Sequence, residues 1–109
     1  MSTVTTHVLD TTLGRPAAGV AVRLERADGA GLVASGVTDT DGRIGDLGPD
    51  GLAPGLYRIV FGTGAYFARD RRRTFYPEVT VTFEVEDGTG HCHVPLVVSP
   101  FAYSTYRGS

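Results

Sequence analysis

Three histidines and one arginine in a glycine-rich stretch are the residues whose types and spacing could do chemistry here: His7, His91, His93 and Arg43. Histidine changes charge near neutral pH, so it can take a proton from water and give it back. Arginine presents a planar fork of donors that suits an anionic or carbonyl oxygen. In the run His91-Cys92-His93-Val94-Pro95-Leu96, strand periodicity puts Cys92, Val94, Leu96 and Val98 on one face, all apolar. That face belongs to a core, and Cys92 reads as a buried small hydrophobe. His91, His93, Pro95 and Val97 share the other face, which must look to solvent or to another subunit. Near the start, Val4, Thr6 and Val8 face one way while Thr5, His7 and Leu9 face the other. All three histidines therefore lie off the core.

Three readings of that arrangement stay open on residues alone. The histidines can be scattered surface residues. They can be a zinc site, since His-x-His on a strand with a third histidine holds a catalytic metal with an open position. Against this, no spacing puts His7 beside the pair, and no acidic group is evident to orient the ligands. Or they can be acid–base catalysts working with Arg43. Other signatures fail: Gly62-Thr63-Gly64 has Phe67 where a dinucleotide fingerprint needs glycine, and there is neither a Gly-x-Ser-x-Gly elbow nor a His-Glu-x-x-His helix.

The elements that must position these residues are short. Fifteen glycines and six prolines punctuate runs rich in Val, Thr, Tyr and Phe, and four Asp-Gly pairs (at 28, 41, 50 and 87) mark tight turns between them. Strands are predicted over residues 4–10, 20–27, 32–38, 56–61, 78–86, 91–98 and 101–106, with a short helix over 65–70. Residues 39–55 hold five glycines and two prolines and read as a long surface loop, with a short edge strand near Ile44. The arginine cluster of Arg69 and Arg71 to Arg73 reads as a solvated helix face in preference to an anion-binding patch. Seven to eight short strands in 109 residues make an all-β, two-sheet sandwich, a single domain over residues 1–109.

Composition narrows the function. All ten basic residues are arginines, so a Schiff-base lysine and a P-loop lysine are excluded. A net charge of −2 argues against a nucleic-acid binder. With Cys92 as the one cysteine no internal disulfide can form. The first ten residues lack the basic and apolar regions of a signal peptide, no apolar run reaches the ~18 residues of a membrane helix, and no peroxisomal signal ends the sequence. The expected compartment is the cytoplasm, with no membrane partner.

Three motifs then become specific together. Thr6-His7-Val8-Leu9-Asp10, Thr38-Asp39-Thr40-Asp41-Gly42-Arg43, and His91-x-His93-Val94-Pro95-Leu96 running on to Ser104-Thr105-Tyr106-Arg107-Gly108-Ser109 closely resemble the 5-hydroxyisourate hydrolases, the transthyretin-related proteins of urate degradation in purine metabolism. The resemblance covers the whole chain, and the terminal Tyr-Arg-Gly-Ser is that family's hallmark. Transthyretin, a hormone carrier on the same fold, lacks the tetrapeptide and this histidine–arginine set. The resemblance implies a transthyretin-like (prealbumin-like) sandwich assembled as a homotetramer, a dimer of dimers with active sites at the dimer–dimer interface. It implies a catalytic set of His7, Arg43, His93 and Ser109, with Tyr106, Arg107 and Gly108 completing the substrate pocket. His91 is not in that set and reads as pocket rim or plain strand. The implied reaction is cyclic-amide hydrolysis of 5-hydroxyisourate, with no cofactor and no metal. The rival from another class is a non-catalytic, transthyretin-like carrier that binds an aromatic small molecule without consuming it.

Overall fold

In the computed structural model, which describes residues 3–29, 31–87 and 90–109, the β-branched and aromatic runs form strands. They are β1 (Thr3–Asp10), β2 (Arg15–Pro16), β3 (Ala21–Arg26), β4 (Gly31–Val37), β5 (Arg43–Ile44), β6 (Gly55–Phe61), β7 (Val79–Val85), β8 (His91–Ser99) and β9 (Ala102–Thr105), with one helix, α1 (Thr63–Ala68). One sheet runs β2-β1-β8-β9, with β5 also paired to β1; the other runs β4-β3-β6-β7. The predicted all-β sandwich with one short helix is what forms. Among the described residues the count is nine: the expected edge strand at Ile44 forms as β5, and β2 adds another two-residue ladder on the same edge of β1, the two lying opposite Thr6–His7 and Leu9–Asp10 respectively. The predicted turn at Asp87-Gly88 falls partly outside the described residues.

Alternation fills the core from both sheets. Val4 and Val8 of β1 and Cys92, Val94, Leu96 and Val98 of β8 pack against Val22, Leu24, Tyr57, Ile59, Phe61, Val79 and Val85 of the other sheet. Each such aliphatic side chain contributes roughly 1.5–3 kcal/mol of burial. Thr6 and, at the end of the strand, Asp10 are the polar residues on that face of β1, and the Thr6 hydroxyl donates to the Val94 carbonyl at 2.7 Å. β1 and β8 run parallel, with Thr5 opposite His93 and His7 opposite Pro95. That pairing decides which outward side chains become neighbours.

Two expectations change. The 39–55 stretch is not purely a surface loop: Ile44 and Leu47 are buried in the core, and the Leu47 amide donates to the Val4 carbonyl. Two apolar side chains three residues apart pin a glycine-rich segment that would otherwise have little to bury. The arginine cluster is not simply a solvated helix face either. Arg72 turns inward to the fully buried Asp10, pairing at 2.8 Å across 62 residues of sequence. Asp10 also accepts from the Thr12 and Leu13 amides and from the Tyr66 hydroxyl. Burial alone would raise its pKa, but the hydrogen bonds from Arg72, Leu13 and Tyr66 outweigh that and lower it. The helix starts and ends two residues earlier than predicted, at Thr63 and Ala68, and Arg71 just beyond it turns to φ 62°. A helix this short depends on its packing, which Tyr66 and Phe67 supply by burial.

Candidate active site

Three segments converge on the outer face of the β1–β8 pair. The first is the turn before β5. Asp39 accepts from the Asp41 and Arg43 amides at 2.9 Å each, closing a tight loop through its side chain. Gly42 takes φ +75°, and a Cβ there would run into the Val8 carbonyl oxygen. Only glycine lets this turn lie flat on β1, where the Val8 amide donates to the Gly42 carbonyl at 2.7 Å. The result sets Arg43 directly opposite His7.

The C-terminal tail is the second. β9 pairs back onto β8, and the Thr105 hydroxyl donates to the Pro95 carbonyl at 2.7 Å. The Gly108 amide then donates to the His93 carbonyl at 2.9 Å. A Cβ on Gly108 would overlap Cδ2 of the His93 ring, so the tail lies against the imidazole with no room for a side chain. Ser109 is thereby delivered to the histidine face.

The third is the β1–β8 pair itself. A cleft of about 240 Å³ opens among Thr5, Arg43, His91, His93 and Ser109. The Thr5 hydroxyl lies 2.7 Å from His93 Nδ1 and 2.8 Å from His91 Nε2. His93 Nε2 makes no hydrogen bond to a described residue. Desolvation lowers the His93 pKa below its ordinary 6.5, and His91, Arg43 and His7 push it the same way, against a hydrogen bond with the Thr5 backbone. The ring is held toward its neutral, proton-accepting form.

Of the residues singled out in the sequence, the cleft gathers Arg43, His93 and Ser109. His7 stands beside it on the same strand face, in register with Arg43 and acting electrostatically on His93. Gly108 packs under the ring. Tyr106 and Arg107 line a second opening, which His93 also borders, with Val81, Phe83, Glu84 and Val94. His91, read as rim or plain strand, lines the cleft. Thr5 was not singled out; its place on the His7 face was visible, but its partners depend on the parallel pairing with β8. No acidic side chain lines the cleft, and among the described residues no group of three or more His, Cys, Asp or Glu side chains is placed to hold a metal ion.

Fold and site together define an all-β sandwich with a cationic histidine–arginine cleft on one outer sheet face. The chain belongs to the HIUase/Transthyretin family, whose family model matches residues 4–108. It is 47% identical over 106 residues to a 5-hydroxyisourate hydrolase of Salmonella dublin, covering 94% of this chain and 78% of that one. The solved structure of Klebsiella pneumoniae 5-hydroxyisourate hydrolase superposes with a TM-score of 0.90 at 38% identity, covering 98% of this chain and 99% of the other. Transthyretin from Sparus aurata gives 0.88 at 34% identity, covering 96% and 95%. The fold is common to enzyme and carrier, so the site must separate them.

Proposed function

We propose that this chain is a hydrolase that opens the six-membered-ring amide (N1–C6) of 5-hydroxyisourate in urate degradation, yielding 2-oxo-4-hydroxy-4-carboxy-5-ureidoimidazoline. The observation that carries the reading is the cleft in which Arg43, Ser109 and a His93 biased toward neutrality meet. His93, with His7, takes a proton from water as the water oxygen bonds to C6. Such assistance is typically worth 10²–10⁴-fold. Arg43 stabilises the oxyanion that develops on C6. The proton is then handed to N1 as the C6–N1 bond breaks. Ser109, through its hydroxyl or terminal carboxylate, orients water or substrate. Tyr106, Arg107 and Gly108 shape the tail that delivers Ser109. No step calls for a metal or organic cofactor.

The working assembly is a homotetramer, a dimer of dimers whose dimer–dimer interface covers the cleft. The exposure of Arg43, His91 and Ser109 on one open face supports that, since a second copy would screen them from water. The proposed compartment is the cytoplasm. Among the described residues no helix is long and apolar enough to cross a membrane. The likeness to transthyretin favours one second reading, a carrier that binds an aromatic ligand in the same place. The deciding experiment follows the ultraviolet absorbance of 5-hydroxyisourate, made freshly from urate, with and without the protein and after EDTA. Faster decay that survives EDTA and is lost in His93→Ala supports the hydrolase. Decay at the spontaneous rate would put the carrier first.

A further inference from the structure

The Thr5 hydroxyl sits within hydrogen-bonding distance of two imidazoles, His93 through Nδ1 and His91 through Nε2. A hydroxyl carries one proton. It donates to one of these nitrogens and accepts from the other, so the tautomers of the two rings are tied together. If Thr5 donates to His93, the neutral His93 ring carries its hydrogen on Nε2 and has no lone pair there to take a proton from water. If Thr5 accepts from His93 Nδ1–H and donates to His91 Nε2, the lone pair of His93 Nε2 is left free.

The surroundings favour the second direction. His93 Nε2 is the ring nitrogen without a described partner, and Nδ1 is already engaged. In a Ser–His–Asp triad a carboxylate holds the Nδ1–H tautomer. Here no carboxylate side chain reaches the cleft. The groups lining this cleft or acting on His93 from it are His91 on β8, His7 on β1, Arg43 on β5 and Ser109 on the tail, while Glu84 of β7, Tyr106 and Arg107 line the second opening that His93 borders. An Nδ1–H donated to Thr5 also stays in place when the ring becomes imidazolium, so no hydroxyl must turn as water loses its proton.

We propose that Thr5 is a positioning residue that runs a hydrogen-bond chain from His93 Nδ1–H through its own hydroxyl to His91 Nε2, fixing His93 Nε2 as the base. This rests on the hydrolase reading above. The proton taken from water resides on Nε2 and leaves to N1 of the substrate, while the Thr5 proton remains on Oγ1 throughout. His91 acts through Thr5 and touches no reacting atom in this scheme.

The test combines kinetics with ¹⁵N NMR of histidine-labelled, fully assembled protein, recorded above the pH at which the rings titrate. His93 is expected to show a protonated Nδ1 and a bare Nε2, and His91 a bare Nε2. Thr5→Val keeps the β-branched shape and removes the hydroxyl. It should scramble both tautomers and lower kcat about 10-fold or more, a share of the acid–base contribution, with KM nearly unchanged. Thr5→Ser should restore the ring shifts and most of kcat. A wild-type His93 with its hydrogen on Nε2 overturns the proposal, and so does a folded Thr5→Val with unaltered ring shifts and kcat. Should the wild type fail to hydrolyse 5-hydroxyisourate, the hydrolase reading falls, and with it the role of base. The ring shifts would still decide whether the Thr5 chain runs in the stated direction.

Discussion

His93 is where three independent constraints meet. Its backbone carbonyl holds the tail through Gly108, its ring lies against that glycine, and its Nδ1 is taken by Thr5. What remains without a described partner is Nε2, on a ring that lines the same cleft as Arg43. Removing His93 or Arg43 (His93→Ala, Arg43→Ala) should lower kcat/KM by about 10²–10³-fold, equivalent to ~2.7–4 kcal/mol, because each serves charge that develops only in the transition state. Circular dichroism must show the fold intact; near-normal kinetics in a folded variant would remove that residue from the mechanism. The pH profile should carry the same signature. With the His93 pKa lowered in the fold, the neutral base persists on acidification past the ordinary 6.5. The acid limb of kcat/KM should therefore have its midpoint below 6.5, and a midpoint above it would rule out His93 as the titrating base. Between the folded and unfolded values the unfolded chain binds more protons, so acidification through that window also costs stability.

At the scale of elements, β1 organises the site, with β8 on one edge and β5 and β2 sharing the other. The faces of β1 and β8 were legible in the sequence because period-two alternation separates Val4, Thr6 and Val8 from His7, and Cys92 and Val94 from His93. The neighbours were not. Two alternating strands carry no local mark that they lie parallel side by side, so the contact of Thr5 with both histidines had no visible signal. Arg43 was found through a motif, and its cause is now physical: Asp39 closes the turn and Gly42 permits the approach to β1. The Asp10–Arg72 pair was missed because charge clusters are usually solvated, and nothing local says that Asp10 at the end of β1 is fully buried. That pair ties the strand bearing His7 to the segment after α1. Asp10→Asn removes the buried charge that Arg72 pairs with, leaving it only the exposed Asp70, and should cost ~3 kcal/mol by urea denaturation. A loss under ~1 kcal/mol would mean that the Thr12, Leu13 and Tyr66 hydrogen bonds alone hold this corner. The Asp10 pKa is lowered in the fold, so its stabilisation is present above 3.8 and fades as pH falls through its depressed value. Gly108→Ala tests the tail. A methyl group there must displace the His93 ring, so activity should fall while the melting temperature moves little.

At the scale of the whole molecule, the cleft is open on one side, and the protein around it leaves large apolar side chains uncovered. Phe101, Tyr103 and Tyr106, on β9 and its flanks, are 67%, 41% and 59% exposed. Scattered apolar residues need no explanation, but three aromatics along one edge strand and its tail mark a surface that gains by being covered. The site needs the same thing for a different reason. Arg43 stabilises an oxyanion strongly only where water is excluded, because screening in bulk water reduces the interaction several-fold relative to a protein interior. A subunit that works alone would hold its arginine and His91 in solvent, so assembly and turnover should be coupled. Light scattering after size exclusion should report four chains per particle, and activity per chain should fall when dilution or mild denaturant splits the particle before the subunits unfold. A monomeric particle with undiminished turnover would show that one chain's cleft is sufficient, and water exclusion would then have to come from the tail and the β5 turn.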